Sequence, residues 1–248
     1  MNGLKVLDLF SGIGGFSLGL ERAGMETIAF CELDKACHKV LKKHWSNTPI
    51  YDDIRTLNGT DLQSTVDVIC GGFPCQDISL IGQGGGIAGE RSGLWWEFHR
   101  LIKEIKPSWV IAENVTALRS RGLDEVLRSL AEIGYDAEWH CISASAIGAP
   151  HRRDRVWIIG YPHNQPGLEA TQAVMPRGKS WETWQNDSKR YWGSLSRTRR
   201  PIPESISIRM DNGVSNRVDR HRQLGNAVVP QIPELIGKTI MEFKNAIT

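Results

Sequence analysis

Apolar positions along this chain alternate between short continuous runs and longer stripes at helical spacing. Leu4-Lys5-Val6-Leu7-Asp8-Leu9-Phe10 is a run of strand length, the pattern of a strand buried on both faces of a parallel sheet. Comparable runs recur at residues 27–31, 50–54, 66–70 and 109–112. Between them lie helical segments at residues 17–23, 35–45, 94–105 and 122–133. Gly24 ends the first and Pro107 stops the third. The third places Leu94, Trp95, Phe98, Leu101, Ile102 and Ile105 on its buried side, and both Trp95 and Trp96 are read as core. Strand and helix in alternation predict an α/β fold with a mainly parallel sheet. Residues 135–143 and 155–161 read as two last strands. Their short link suits an antiparallel hairpin rather than a crossover.

From Pro162 to about Ser215 the periodicity is lost, and Pro, Gly, Ser, Asn, Arg and Trp dominate. This stretch reads as a separate small region poor in regular structure. Trp181, Trp184, Tyr191 and Trp192 stand among basic residues. Such rings can stack on bases or form the core of a minimal subdomain, and at least half are read as core. Order returns at Asn216, and residues 231–246 form a last amphipathic helix expected to pack back on the sheet. Three parts follow: residues 1–161, 162–215 and 216–248.

Composition narrows the function classes. The chain has 248 residues and a net charge of +2, too little to imply nucleic acid by itself. Basic residues nevertheless gather late, at Arg152, Arg153 and Arg155, then Arg197, Arg199 and Arg200, then Arg217, Arg220 and Arg222, a pointer to phosphate contacts. Five cysteines without CxxC spacing argue against a disulfide framework or a zinc site and for a reducing, cytoplasmic setting. No run reaches membrane-spanning length. The first residues enter a strand pattern directly, so no signal peptide is expected.

The strand ends carry the candidate chemistry. Ser11-Gly12-Ile13-Gly14-Gly15-Phe16 follows the first strand, and strand, glycine-rich turn and helix form a nucleotide-type site. Its spacing is neither GxGxxG nor a phosphate loop. Glu32 ends the second strand, where an acid pairs with ribose hydroxyls. Asp53 ends the third and can accept from an adenine amine. Cys75 follows Pro74 after the fourth strand, and Glu113 follows the fifth. Arg153 and Arg155 lie at the hairpin. A lone Pro-Cys is ordinarily a buried structural feature. A thiol, a carboxyl and guanidiniums around a nucleoside-binding edge instead suit covalent attack on a heteroaromatic ring.

Five motifs then stand in order: residues 8–16, Gly72-Phe73-Pro74-Cys75-Gln76, Glu113-Asn114-Val115, Arg153-Asp154-Arg155 and Leu224-Gly225-Asn226-Ala227-Val228-Val229-Pro230. Together they resemble the DNA (cytosine-5)-methyltransferase family over nearly the whole chain, apart from about 162–212. The resemblance implies a Rossmann-like methyltransferase fold, S-adenosylmethionine as cofactor, double-stranded DNA as partner, no metal and a monomer. It makes residues 162–215 the target-recognition region and the last segment a return to the catalytic domain. It implies Cys75 as nucleophile on carbon 6 of a flipped-out cytosine, protonated Glu113 as donor near ring nitrogen 3, and Arg155, supported by Arg153, at the carbonyl oxygen or a nearby phosphate. Phe10, Ser11, Gly12, Gly14, Gly15, Glu32, Asp53, Ile54, Pro74, Leu94, Asn226 and Ala227 would line the cofactor site. Residues 79–92, rich in glycine, would close over the base.

Two departures from the family pattern stand out. Leu33 stands where many members place an aromatic, which implies weaker cofactor binding, and His151 stands where glutamine is common. Rival readings are an RNA cytosine-5 methyltransferase, a catalytically silent DNA-binding homologue and a dinucleotide dehydrogenase. The last has the wrong glycine spacing and leaves Cys75 without a role. Exchanging residues 162–212 for the segment of another family member is expected to change the methylated sequence, read by bisulfite sequencing. Unchanged specificity would place recognition elsewhere.

Overall fold

Strand β1 (Lys5–Leu9) leads through the glycine turn into helix α1 (Gly15–Arg22) in the computed structural model, which describes residues 3–62, 64–74, 93–147, 149, 152–165 and 227–247. There follow β2 (Glu26–Cys31), α2 (Lys35–His44), β3 (Ile50–Tyr51) and β4 (Val68–Gly72). Then come α3 (Leu94–Ile105), β5 (Trp109–Val115), short α4 (Leu118–Arg121) and α5 (Leu123–Glu132). A hairpin of β6 (Tyr135–Ser143) and β7 (Asp154–Pro162) and helix α6 (Gln231–Ile247) complete the described elements. Cys75, residues 79–92, His151, residues 166–215 and Asn226 lie outside them.

The seven strands form one sheet in the order β3-β2-β1-β4-β5-β7-β6. The first five are parallel, and β7 runs antiparallel to both β5 and β6. The order reverses between β1 and β4, where the chain leaves the sheet in opposite directions and opens a crevice at the carboxyl ends. The mainly parallel α/β architecture and terminal hairpin read from the pattern are therefore present.

Alternate strand residues divide between two cores, as a period of two requires. Leu7, Leu9, Ile69, Val110, Ala112, Val156 and Ile158 pack with Trp95, Phe98, Leu101 and Leu130 of α3 and α5. Val6, Val68, Trp109, Ile111, Trp157 and Ile159 pack with Phe16 and Leu20 of α1 and with Ile232, Ile236, Ile240 and Phe243 of α6. Helix α6 carries Pro233 in its first turn, where a missing N–H costs nothing. Its packing on the sheet agrees with the sequence reading. Gly15 and Gly19 admit this segment: a Cβ on Gly19 would lie 2.2 Å from the Pro230 carbonyl oxygen, and one on Gly15 would lie 2.6 Å from that of Val228.

Several details differ from the sequence reading. Trp95 is fully buried, but Trp96 is 40% exposed and meets the edge of His99. One side of α3 is already filled by Trp95 and Phe98, and Trp96 turns off that stripe. Helix α1 starts at Gly15 rather than residue 17. A separate turn of helix, α4, precedes α5, from which Gly122 at φ 142° divides it. Strands β4 and β5 extend to Gly72 and Val115, because the pairing Gly72 with Glu113 continues the ladder beyond the apolar run.

Asp8 is fully buried on the α1 side of β1. Its Oδ2 accepts from Ser17 Oγ at 2.7 Å and from Ser17 N at 3.3 Å. Burial outweighs these bonds and pushes the carboxyl from 3.8 up to about 7. The folded chain therefore holds this proton more tightly than the unfolded chain. Its contribution to stability is complete below about pH 4 and is lost as pH rises through about 7. The unfolding free energy of wild type relative to Asp8→Asn should therefore fall between pH 4 and pH 8, measured by urea denaturation. A difference independent of pH would contradict the raised value.

Candidate active site

The turn after β1 is built from backbone shapes that few residues adopt. Phe10, Gly12 and Gly14 have φ of 52°, 54° and 85°, in the left-handed region where a Cβ is penalised. Ser11 closes the turn: its Oγ donates to the Asp8 carbonyl at 2.6 Å and its N–H to that of Cys31 at 3.3 Å. Glu32, just past β2, fixes the opposite wall. Its Oε2 accepts from Gly12 N and its Oε1 from Asp34 N, both at 2.7 Å. A Cβ on Gly12 would meet no atom within 4 Å, so open space lies before this turn. A glycine backbone facing open space, with an oriented carboxylate beside it, fits the nucleoside end of S-adenosylmethionine.

The other cofactor candidates take varied positions. The carboxylate of Asp53 is held by Arg55, which donates from Nε at 3.0 and 3.1 Å and from Nη2 at 2.8 Å. That bond, the largest influence, keeps Asp53 below its ordinary value. The Ile54 side chain is buried in the α3-side core, and its carbonyl accepts from Arg100 at 2.9 Å. Leu94 opens α3 and packs partly on the same core. Leu33 is 65% exposed beside Glu32. Pro74 follows β4 half-buried, and Ala227 immediately precedes the Val228 carbonyl that abuts Gly15.

Glu113 and Arg155 meet across β5 and β7. Arg155 pairs in register with Val115, two residues from Glu113 and on the same face. This diagonal lies within reach of long side chains. Arg155 Nε donates to Glu113 Oε1 at 2.9 Å. Glu113 is 9% exposed. Burial pushes its carboxyl above its ordinary value, against the pull of Arg155 and then Arg153. Gly72 is its neighbour on β4, and a Cβ there would lie 3.0 Å from Glu113 Oε2. Arg153 has a φ of 38°. Burial lowers its guanidinium, Arg155 lowers it further, and Glu113 opposes both. Of the three non-glycine residues with positive φ among the described residues, Phe10 and Arg153 both lie at this sheet edge. Strained backbone clusters at such sites.

Two supporting residues carried no role in the sequence reading. Asn114 Nδ2 donates to the Phe73 carbonyl at 3.2 Å, and Asn114 Oδ1 accepts from Val115 N at 2.8 Å. It therefore ties the end of β5 to the chain two residues before Cys75. Arg100 binds Glu97 and Glu104 at 2.8 Å each and donates to the carbonyls of Ile54 and Leu57 at 2.9 Å each. It holds the turn after Asp53 against α3. The spacing of Glu97, Arg100 and Glu104 signals the ion pairs, but nothing local signals the carbonyls. Among the described residues, no group of three or more His, Cys, Asp or Glu could hold a metal ion, and no helix is long and apolar enough to cross a membrane.

A mainly parallel sheet with an antiparallel last hairpin, a glycine turn tied to the acid after β2, and a carboxyl–guanidinium pair past the switch point define a Rossmann-like fold of the methyltransferase type. More narrowly, the chain belongs to the C-5 cytosine-specific DNA methylase family, which it matches over residues 4–197. It is 34% identical over 192 residues to Type II methyltransferase M2.BsuMI of Bacillus subtilis (strain 168), an alignment covering 69% of this chain and 49% of that protein. It is 33% identical over 196 residues to Type II methyltransferase M.CviJI of Paramecium bursaria Chlorella virus IL3A, covering 77% and 53%. The fold is similar to that of Spodoptera frugiperda DNMT2, with a TM-score of 0.57 at 20% identity, covering 71% of this chain and 54% of that one. The chain spans about half the length of the curated relatives it matches.

The glycines that end β4 are separable by experiment. A Cβ on Gly71 would lie 2.5 Å from the Leu9 carbonyl oxygen, which is backbone, whereas the nearest atom to one on Gly72 is the tip of the Glu113 side chain at 3.0 Å. Gly71→Ala should lower the melting temperature by more than about 5 °C, and Gly72→Ala should lower it less. The reverse order in thermal unfolding would contradict this packing.

Proposed function

We propose that this chain transfers a methyl group from S-adenosylmethionine to carbon 5 of a cytosine flipped out of duplex DNA, through a transient bond to Cys75. The observation that carries the reading is the buried Glu113 carboxyl with the Arg155 guanidinium set against it on the sheet edge that β4 reaches just before Cys75. S-adenosylmethionine supplies the methyl group. Gly12, Gly14, Glu32 and Asp53 would hold its nucleoside end, and Asn226 and Ala227 are assigned to the same cofactor by the family motif.

Carbon 5 of cytosine is a weak nucleophile. Addition of the Cys75 thiolate at carbon 6 makes the ring enamine-like and moves electron density toward carbon 5. Negative charge builds on ring nitrogen 3 and the carbonyl oxygen. Glu113, held toward its neutral form by burial, donates at nitrogen 3, and Arg155 meets the oxygen side. After carbon 5 gains the methyl group, a base removes its proton, electrons return to the ring and the bond from sulfur to carbon 6 breaks. A stacked base cannot reach this pocket, so the nucleotide must leave the helix.

In this reading residues 1–161 form the catalytic and cofactor-binding domain and residues 162–215 recognise the target, while 216–248 return to the catalytic domain. The protein acts as a monomer in the cytoplasm, as part of a restriction-modification pair or alone.

Incubation with labelled donor and either duplex DNA or transfer RNA tests the substrate. Label in DNA is expected, and label in RNA alone would overturn the reading. Cys75→Ala should abolish methyl transfer while DNA binding persists. Glu113→Gln should slow transfer by about 100-fold or more. Undiminished transfer by Cys75→Ala would exclude a covalent route.

A further inference from the structure

A buried histidine stands where β2 and β3 end, and no step above uses it. His38 lies on α2 and is 8% exposed. Its Nε2 is 2.5 Å from the main-chain oxygen of Glu32. A carbonyl oxygen only accepts, so Nε2 is the protonated nitrogen and donates. Its Nδ1 faces Asp52 Oδ1 at 3.9 Å, beyond hydrogen-bond range and an ion pair when the imidazole is protonated on both nitrogens. The same carboxylate meets the Lys35 ammonium, and these contacts, Lys35 foremost, hold Asp52 below its ordinary value. One imidazole therefore touches the residue that follows β2 and the residue that follows β3.

Both neighbours bear on the cofactor site. The Glu32 carboxylate is already committed to Gly12 N and Asp34 N, so the place of the Glu32 main chain fixes the place of the glycine turn. Asp52 directly precedes Asp53. Strand β3 is an edge strand of two residues. Beside its own pairing, Phe30 N donates to Pro49 O at 3.0 Å and Glu32 N to Tyr51 O at 2.9 Å. So short a ladder leaves the Asp52–Asp53 segment in need of side-chain anchors. Lys35 and His38 come from the α2 side, and Arg55 and Arg100 hold the following turn.

We propose that His38 is a positioning residue for the cofactor: it sets the Glu32 main chain against the glycine turn and, through Asp52, holds the Asp53 segment in register with it. The proposal rests on the S-adenosylmethionine reading above. A histidine that merely fills a buried space would affect stability without separating cofactor affinity from turnover.

The test measures S-adenosylmethionine binding by equilibrium dialysis, together with KM for the donor and kcat, on wild type and three variants. His38→Leu keeps the site apolar but loses the donor, and it should raise Kd and KM about 5- to 10-fold with kcat at saturating donor within about twofold. His38→Gln retains an N–H able to reach the Glu32 carbonyl and should return both constants to within about twofold of wild type. Asp52→Asn changes a half-exposed group, which leaves folding intact, and should raise KM about 2- to 3-fold. Wild-type affinity in His38→Leu, a fall in its kcat at unchanged KM, or no recovery in His38→Gln would each overturn the proposal. If His38→Leu does not fold, an unchanged KM in Asp52→Asn overturns it. A wild-type protein that does not bind the donor would sink the cofactor reading and this proposal with it, whereas a binding wild type with indifferent variants would sink this proposal alone.

Discussion

The contact between Glu113 and Arg155 sets the terms for the rest of the site. The Glu113 carboxyl is withdrawn from water there, and the part-exposed Arg155 donates to it from the neighbouring strand, so losing the guanidinium would leave a buried acceptor without that partner. Arg155 can lie diagonal to Glu113 only because β7 runs antiparallel to β5 with Val115 opposite Arg155. The sheet therefore reverses direction where the charge pair needs it. Gly72 on the other flank leaves room for the carboxylate, since a Cβ there would approach it to 3.0 Å. The close passage of Gly71 past Leu9 brings β4 hard against β1. Charge pair, hairpin polarity and glycine packing are thus one arrangement.

Most of the sheet was legible because its strands are apolar on both faces, so continuous runs marked them without knowledge of neighbours. The ends were less so. Gly71 and Gly72 read as loop because glycine disfavours strands, yet pairing with β5 carries them into the ladder. Glu113 and Asn114 read as lying past a strand end because polar residues rarely sit inside a buried one. In fact each has a partner, Arg155 for one and the Phe73 carbonyl for the other. Trp96 shows the opposite error: adjacency to Trp95 suggested burial, but a helix turns successive residues by about 100° and leaves its ring half in solvent.

The candidate chemistry was legible where residue type alone restricts the choice, as with glycines in a turn or an acid after a strand. It was not legible where a side chain binds a distant carbonyl. Asn114, Arg100 and His38 all do so, and carbonyls carry no sequence signature. Asp53 marks a further limit. Its place after β3 suggested an adenine-facing role, but nothing in the sequence showed that Arg55, two residues on, would brace its carboxylate.

The seam between α1 and the segment from Val228 through α6 has a consequence for the order of assembly. Gly15 and Gly19 face carbonyls of residues 228 and 230 across gaps too narrow for a side chain. Phe16 and Leu20 are covered by Ile232, Ile236 and Ile240. A growing chain on the ribosome displays α1 some two hundred residues before its cover is made, a long wait at about 5–20 residues per second. During that interval the apolar face of α1 and the underside of β1 are open to chaperones or to other nascent chains. A pause in translation upstream of residue 228 would prolong that exposure, so synonymous codon choice in this stretch bears on yield of the folded protein even though it changes no contact within it.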